Sequence, residues 1–230
     1  MLIKEELKEH LREEIRRERQ KLKEMSLSDK IWYIWEYYKF HIIGVFLVIL
    51  VISIVATSVH NASIDPGIYC VVINNRSSQE LDTSVLEQDF YEHMGFGEKQ
   101  PVYAESMFIT YGDQATEYSY AAMAKLSALI ASKDLDIIIG DRENIDHYTS
   151  LDGLADLEQF LPQDVLAAAE DRLIYAADSS GQSVATSIDI SGTWLAERMH
   201  LAQESSSLSI VSNLRHTDNA IALIRYIFDL

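Results

Sequence analysis

The sequence predicts an α/β protein, in which an N-terminal helix and a single transmembrane helix precede a three-layer-like α/β domain with a mixed, partly parallel sheet. Three observations carry that reading. Residues 42–59 form an uncharged apolar stretch within a chain of 230 residues. Beyond it, short apolar runs such as Ile68–Ile73 and Leu135–Ile139 alternate with segments of helical period, as strand–helix–strand crossovers require. Later, extended segments on either side of Ser179-Ser180-Gly181 suggest an antiparallel hairpin. The expected divisions are 1–41, a charged helix and aromatic interfacial segment; 42–59, the span; 60–67, a linker; and 68–230, an acidic α/β domain.

The first element is a charged helix over Leu2–Met25. Ile3, Leu7, Leu11, Ile15, Leu22 and Met25 form one apolar stripe, while Glu9–Arg12, Glu13–Arg17 and Glu18–Lys21 have the spacing of supporting ion pairs. Strict heptads fail, because a seam through Leu11 and Ile15 also takes Glu18. Docking to a partner, loose self-pairing and a solvated stalk all remain open. Ser26-Leu27-Ser28-Asp29 reads as a break and a new helix start.

The span follows. At ~1.5 Å per residue, 18 helical positions reach roughly 27 Å, close to the ~30 Å of a hydrocarbon core. Only a helix satisfies its own backbone in lipid, so the β-branched residues here do not make a strand. Trp32, Tyr33, Trp35, Tyr37 and Tyr38 crowd the approach to the span, with Lys39 among them, as in a headgroup-level aromatic belt. Residues 1–41 hold ten Lys/Arg, and no further one occurs until Arg76. The positive-inside rule therefore predicts a cytoplasmic N-terminus and an extracytoplasmic domain. A charged leader of 41 residues is too long for the n-region of a cleaved signal, which favours an uncleaved anchor.

In the domain, Asp65-Pro66-Gly67 marks a turn, and Ile68–Ile73 reads as a strand buried on both faces. Ser84-Val85-Leu86-Glu87 has the form of a capping box, with Leu86, Phe90 and Met94 on one helical face and Gly95 and Gly97 as the stop. Val102–Thr110 reads as a second strand. Thr116–Lys133 reads as a helix turning Ala122, Leu126, Leu129 and Ile130 inwards, and Leu135–Ile139 as a third strand closed by Gly140-Asp141. Arg172–Ala177 and Ser183–Ile190 are the hairpin arms. A short helix from Trp194, a strand Leu208–Ser212 and a helix Asn219–Phe228 end the chain.

Charge is distributed unevenly. Residues 1–41 carry nine Asp/Glu against their ten Lys/Arg, leaving 27 acidic and nine basic residues for the remaining 189. Such a surface repels nucleic acid, so none is expected as a partner. The single Cys70 lies in an apolar run and reads as a buried, inert thiol.

Leu135-Asp-Ile-Ile-Ile-Gly-Asp-Arg-Glu-Asn144, followed by Leu154-Ala-Asp-Leu-Glu-Gln-Phe-Leu-Pro162, resembles extracellular solute-binding proteins of the type II periplasmic class. Asp218–Phe228 is similar to that family's late helix. The resemblance implies one lobe of that fold, with the second lobe reduced to the hairpin around Gly181. The aromatic segment before a single span also resembles bacterial single-pass membrane-anchored proteins.

No nucleophile elbow, phosphate loop, dinucleotide fingerprint or HExxH pattern is present, and no motif asks for a cofactor. Asp134, Asp136, Asp141, Glu143 and Asp146 lack calcium-loop spacing, and the pair flanking the strand start reads as solvated. Open α/β sheets bind ligands beyond the carboxyl ends of their strands. That edge would gather Asn74, Asn75, Tyr111, Gly112, Asp113, Gly140, Asp141 and Arg142, as a small-molecule site or simply as helix caps and turns. The expected role is a non-enzymatic binding or scaffolding module held in the lipid bilayer with a membrane or extracytoplasmic protein partner. The alternatives are a small-solute receptor beside a transporter, and a hydrolase built on His147 or His216.

Overall fold

The computed structural model describes residues 10, 12, 13, 16, 17, 26–61 and 64–230. The described residues between 10 and 17 are helical and exposed; the rest of the expected Leu2–Met25 helix, with its apolar stripe, lies outside the described residues. The chain divides into two compact units, residues 1–62 and 63–230.

Helix α1, Leu27–Asn61, starts directly after Ser26, where the sequence suggested a break. It runs through the aromatic segment and the apolar stretch without interruption. Within it, Tyr38–Val59 is 22 residues long, has a mean hydropathy of 2.9 and is not buried against the rest of the protein. It is the one helix among the described residues that is long and apolar enough to cross a membrane. Trp32, Trp35 and Tyr38 are exposed, and Lys39 lies 3.7 Å from Glu36 and beside the Phe40 ring. The side chains of Tyr33 and Tyr37 lie outside the described residues.

The second unit is built on a six-stranded sheet. Its strands are β1 Ile68–Ile73, β2 Val102–Met107, β3 Ile137–Gly140, β4 Leu173–Ala177, β5 Ser183–Asp189 and β6 Ser207–Ile210. Their order is β2-β1-β3-β6-β5-β4. β1 pairs in parallel with β2 and β3, and the remaining neighbours are antiparallel. The helices are α2 (Val85–Phe90, one π-helical stretch, continuing as Tyr91–Met94), α3 Glu117–Ser132, α4 Arg142–Ser150, α5 Leu157–Phe160, α6 Gln163–Ala169, α7 Trp194–Arg198 and α8 Thr217–Phe228.

Strand alternation accounts for the layering. Ile68, Cys70 and Val72 face one core with Ile137, Ile139, Leu208 and Ile210, packed by α2, α6 and α8. Val71, Ile73 and Ile138 face the opposite core, packed by Ala122 and Leu126 of α3 and by Ile145 and Tyr148 of α4. A strand buried on both faces needs apolar residues at every position, which is why β1 reads as a continuous run. Burial holds the Cys70 thiol protonated by pushing its pKa up.

Several local expectations are corrected. Ser84 does not cap α2: its hydroxyl donates to Asp82, and the Thr83 carbonyl accepts from the Leu86 and Glu87 N–H groups. Asp82, two residues back, outcompetes the helix for that hydroxyl. β2 ends at Met107 rather than Thr110, because the Asn74 side chain takes both main-chain groups of Ile109 in place of a strand. The hairpin of β4 and β5 is not a separate lobe: through β5 and β6 it continues the one sheet. The helix expected over Thr116–Lys133 forms over Glu117–Ser132: Thr116 caps it, accepting from Ser119 N–H at 3.2 Å, and Lys133 ends it in the left-handed conformation.

Candidate functional site

At the carboxyl end of the parallel strands, Asn74 follows β1 with φ of 56°, a left-handed conformation that asparagine tolerates better than most residues. This geometry turns its amide back across the end of the sheet. Oδ1 accepts from Ile109 N–H at 2.8 Å, and Nδ2 donates to Ile109 O and Asp141 Oδ2, each at 2.9 Å. The Asn74 carbonyl accepts from the Ser205 hydroxyl at 2.6 Å.

Asp141 follows β3 and caps α4. Its Oδ1 accepts from Asn144 N–H at 3.1 Å and from Asn144 Nδ2 at 2.7 Å. Asn144 Oδ1 in turn accepts from the Tyr111 hydroxyl at 2.7 Å. Burial, with Tyr148 beside it, pushes the Tyr111 pKa up and keeps the phenol a donor. The Tyr111 ring stacks on His147, centroids 4.3 Å apart. Gly140 lies against Ile73, and a methyl group there would meet only ordinary contacts.

Asn74, Tyr111, Gly140 and Asp141 therefore do gather, joined by Asn144, which the sequence reading did not include. The other four expected residues diverge, Gly112 among them at the exposed start of a 3₁₀ turn. Asn75 turns to the loop before β6, donating to His200 O at 3.1 Å and accepting from Ala202 N–H at 2.9 Å. Asp113 is exposed in a single 3₁₀ turn. Arg142 leaves the cluster, binding Asp146 at 2.7 and 2.8 Å and donating to Tyr175 O at 2.9 Å. Arg76, 4.0 Å from Asp141, brings a cation near.

A second cluster lies at the opposite ends of the same strands. Asp136 precedes β3 and has no exposure at all, correcting the expectation of a solvated pair with Asp134. Its Oδ2 accepts from Tyr69 N–H at 2.9 Å and its Oδ1 from His216 N–H at 3.2 Å. The His216 ring presents Nδ1 to both oxygens of Asp136, at 3.0 and 3.1 Å, and Nε2 to Asp65 at 3.3 Å. Arg215 reaches Asp65 and Asp134, each at 3.4 Å. The His216 ring thus faces a carboxylate from each of its nitrogens. The His147 ring packs against those of Tyr111 and Tyr148. Among the described residues, no group of three or more His, Cys, Asp or Glu converges as metal ligands would.

The chain was compared with family models, curated proteins and solved structures. None of them matches it. What the two clusters can do is thus a matter of their own chemistry. Asn74, Asp141, Asn144 and Tyr111 exchange their hydrogen bonds chiefly among themselves and with the backbone. Nothing in the order of the sequence pairs Asn74 with Ile109, 35 residues on, or Asp136 with His216, 80 residues on.

Proposed function

We propose that this chain is a membrane-anchored module that binds or scaffolds protein partners outside the cytoplasm without catalysing a reaction. The observation that carries the reading is the closed polar network at the carboxyl edge of the sheet, where Asn74 and Asp141 are committed to Ile109, Asn144 and each other. Polar groups spent on one another support a structural tie more than a reactive or ligand-receiving centre. The unburied apolar stretch of α1 supports anchoring. The ten Lys/Arg of residues 1–41 support a cytoplasmic N-terminus.

The test uses the full-length chain in cells. It should stay with membranes through an alkaline wash, lose its C-terminal tag to protease added outside, and leave mild detergent with a stoichiometric partner. A chain released by the wash, or one that always purifies alone, overturns the reading.

A further inference from the structure

We propose that the outer edge of β2 receives an extended segment of a partner protein as a seventh strand; this rests on the binding-module reading and gives it a surface. β2 is the last strand on its side of the sheet. Asn74 N–H donates to Met107 O, and Ala104 N–H points to the side chain of Glu87. Alternation then sets the N–H and C=O groups of Val102, Ala104 and Ser106 on the side away from β1. A row of this kind is a template for a further strand.

Two features favour a strand as the occupant. First, Glu87 Oε1 accepts from Ala104 N–H at 3.3 Å, standing where the carbonyl of an added strand would stand. Glu87 is exposed and this bond is long, while its other oxygen accepts from the Thr83 hydroxyl at 3.1 Å, so an incoming carbonyl has to displace the one weak bond to Ala104 and leave Glu87 on Thr83. Second, the edge has a groove on each face of the sheet. One, of about 200 Å³, runs between β2 and α3 and is lined by Met107, Tyr118, Ala121 and Ala122. The other, of about 340 Å³, lies beyond Ser106 and is lined by Leu81, Thr83 and Phe108. Successive side chains of a strand point to opposite faces, so an added strand would drop them alternately into the two grooves.

The rim is aromatic, as interface centres tend to be: Tyr103, Phe108 and Tyr118 are 40%, 48% and 61% exposed. Charge selects among occupants. Glu80 lines the second groove, while Glu87 and Glu105 flank the edge, and the Lys125 ammonium there is bound to Glu105. Residues 42–230 hold 27 acidic against nine basic residues. A second copy would bring like charges together across the edge, whereas a basic segment with apolar side chains at alternate positions complements it.

The probe is a nine-residue peptide alternating lysine and valine, offered to the full-length chain in detergent micelles. Its controls are the same peptide interrupted by two prolines and a version with glutamate for lysine. The expected result is binding at least tenfold tighter for the uninterrupted lysine peptide, with slowed hydrogen exchange at Ala104 and Ser106. Ala104→Pro, which removes one outward N–H and no ladder bond to β1, should abolish the difference, and Tyr118→Ala should weaken binding severalfold. Equal binding of the lysine and proline peptides, or exchange protection elsewhere, overturns the proposal. So does concentration-dependent protection without peptide, which would mark a second copy as the occupant. Such failures with the chain still membrane-bound and partnered leave the module reading standing; loss of membrane anchoring would remove that reading instead.

Discussion

The two ends of β1 and β3 carry polar clusters of opposite character. At the carboxyl end, an amide, Asn74, sits at the centre and shares the Asp141 carboxylate with Asn144. At the amino end, a carboxylate, Asp136, sits at the centre, fully buried, and is answered by an imidazole and two backbone N–H groups. In both, side chains replace ladder hydrogen bonds where the strands run out. The difference lies in what is desolvated. Each end holds a carboxylate, but Asp136 has no exposure, whereas Asp141 keeps some and lies 4.0 Å from Arg76; a buried charge is tolerable only while its partners are in place. The amino end should therefore be the more fragile of the two, although the carboxyl end is where ligand sites of open sheets are usually sought.

The largest effect expected is that of Asp136→Ala. It strands the Tyr69 and His216 N–H groups and the His216 ring in one buried spot, and loss of one member of a buried pair typically costs about 3–5 kcal/mol. Chemical denaturation of the full-length chain in micelles measures it. Asp136→Asn, which keeps the shape and one acceptor oxygen, should cost visibly less. A loss below about 1 kcal/mol for the alanine variant would break the comparison, since that is the ordinary worth of a single neutral hydrogen bond.

Asn74→Ala should follow, at roughly 2–3 kcal/mol, because it orphans both main-chain groups of Ile109 and puts alanine at positive φ. Asn74→Gly separates the two causes. Glycine accepts the backbone conformation but restores no hydrogen bond, so it should recover only the conformational part, about 1 kcal/mol. If glycine and alanine cost the same, the left-handed backbone contributes nothing and the amide alone ties the edge.

How much of this was legible in the sequence depends on the range of the interaction. The two-faced burial of β1 is written in Ile68–Ile73 itself, and the extent and inward face of α3 in the period of Ala122, Leu126, Leu129 and Ile130, since those are local patterns. Asp141 as a cap was equally readable. Asp136 was not: a carboxylate at a strand start looks solvated until His216, from the far end of the chain, closes over it. Asn74 was placed at the right edge, but its grip on Ile109 was hidden, and with it the early end of β2. The hairpin was read correctly as a hairpin. Its membership of the sheet was not, because pairing of β5 with β6 rests on the short register Ile188–Leu208 and Asp189–Ser207.

Alkali offers a gentler probe of both ends. Burial, reinforced by Glu105, pushes the Tyr69 pKa up, and burial beside Tyr148 does the same for Tyr111. In the unfolded chain each phenol ionises near pH ~10. The folded state holds the proton longer, so their contribution is intact below that pH and is lost as pH rises above it. Unfolding should set in as the pH climbs past this point, and Tyr111→Phe or Tyr69→Phe should each move the alkaline midpoint upward. Absorbance of phenolate against loss of secondary structure measures it. A midpoint unmoved by both variants would mean that neither ring is held by the fold.

The smallest effect expected is at Arg142, and it sharpens the comparison by its smallness. Arg142 sits next to Asp141 in sequence, yet its guanidinium spends itself on the exposed Asp146 carboxylate and on the Tyr175 carbonyl of β4, the last strand on the other side of the sheet. Exposed ion pairs of this kind contribute roughly 0.2–1 kcal/mol. Arg142→Ala should therefore shift stability by under about 1 kcal/mol while freeing the Tyr175 carbonyl, and exchange should quicken along β4 and leave β1 and β3 unchanged. If the variant instead loosened Asn74 and Asp141, the carboxyl-end cluster would need a cation after all. Its contrast with the fully buried Asp136 at the amino end would then dissolve.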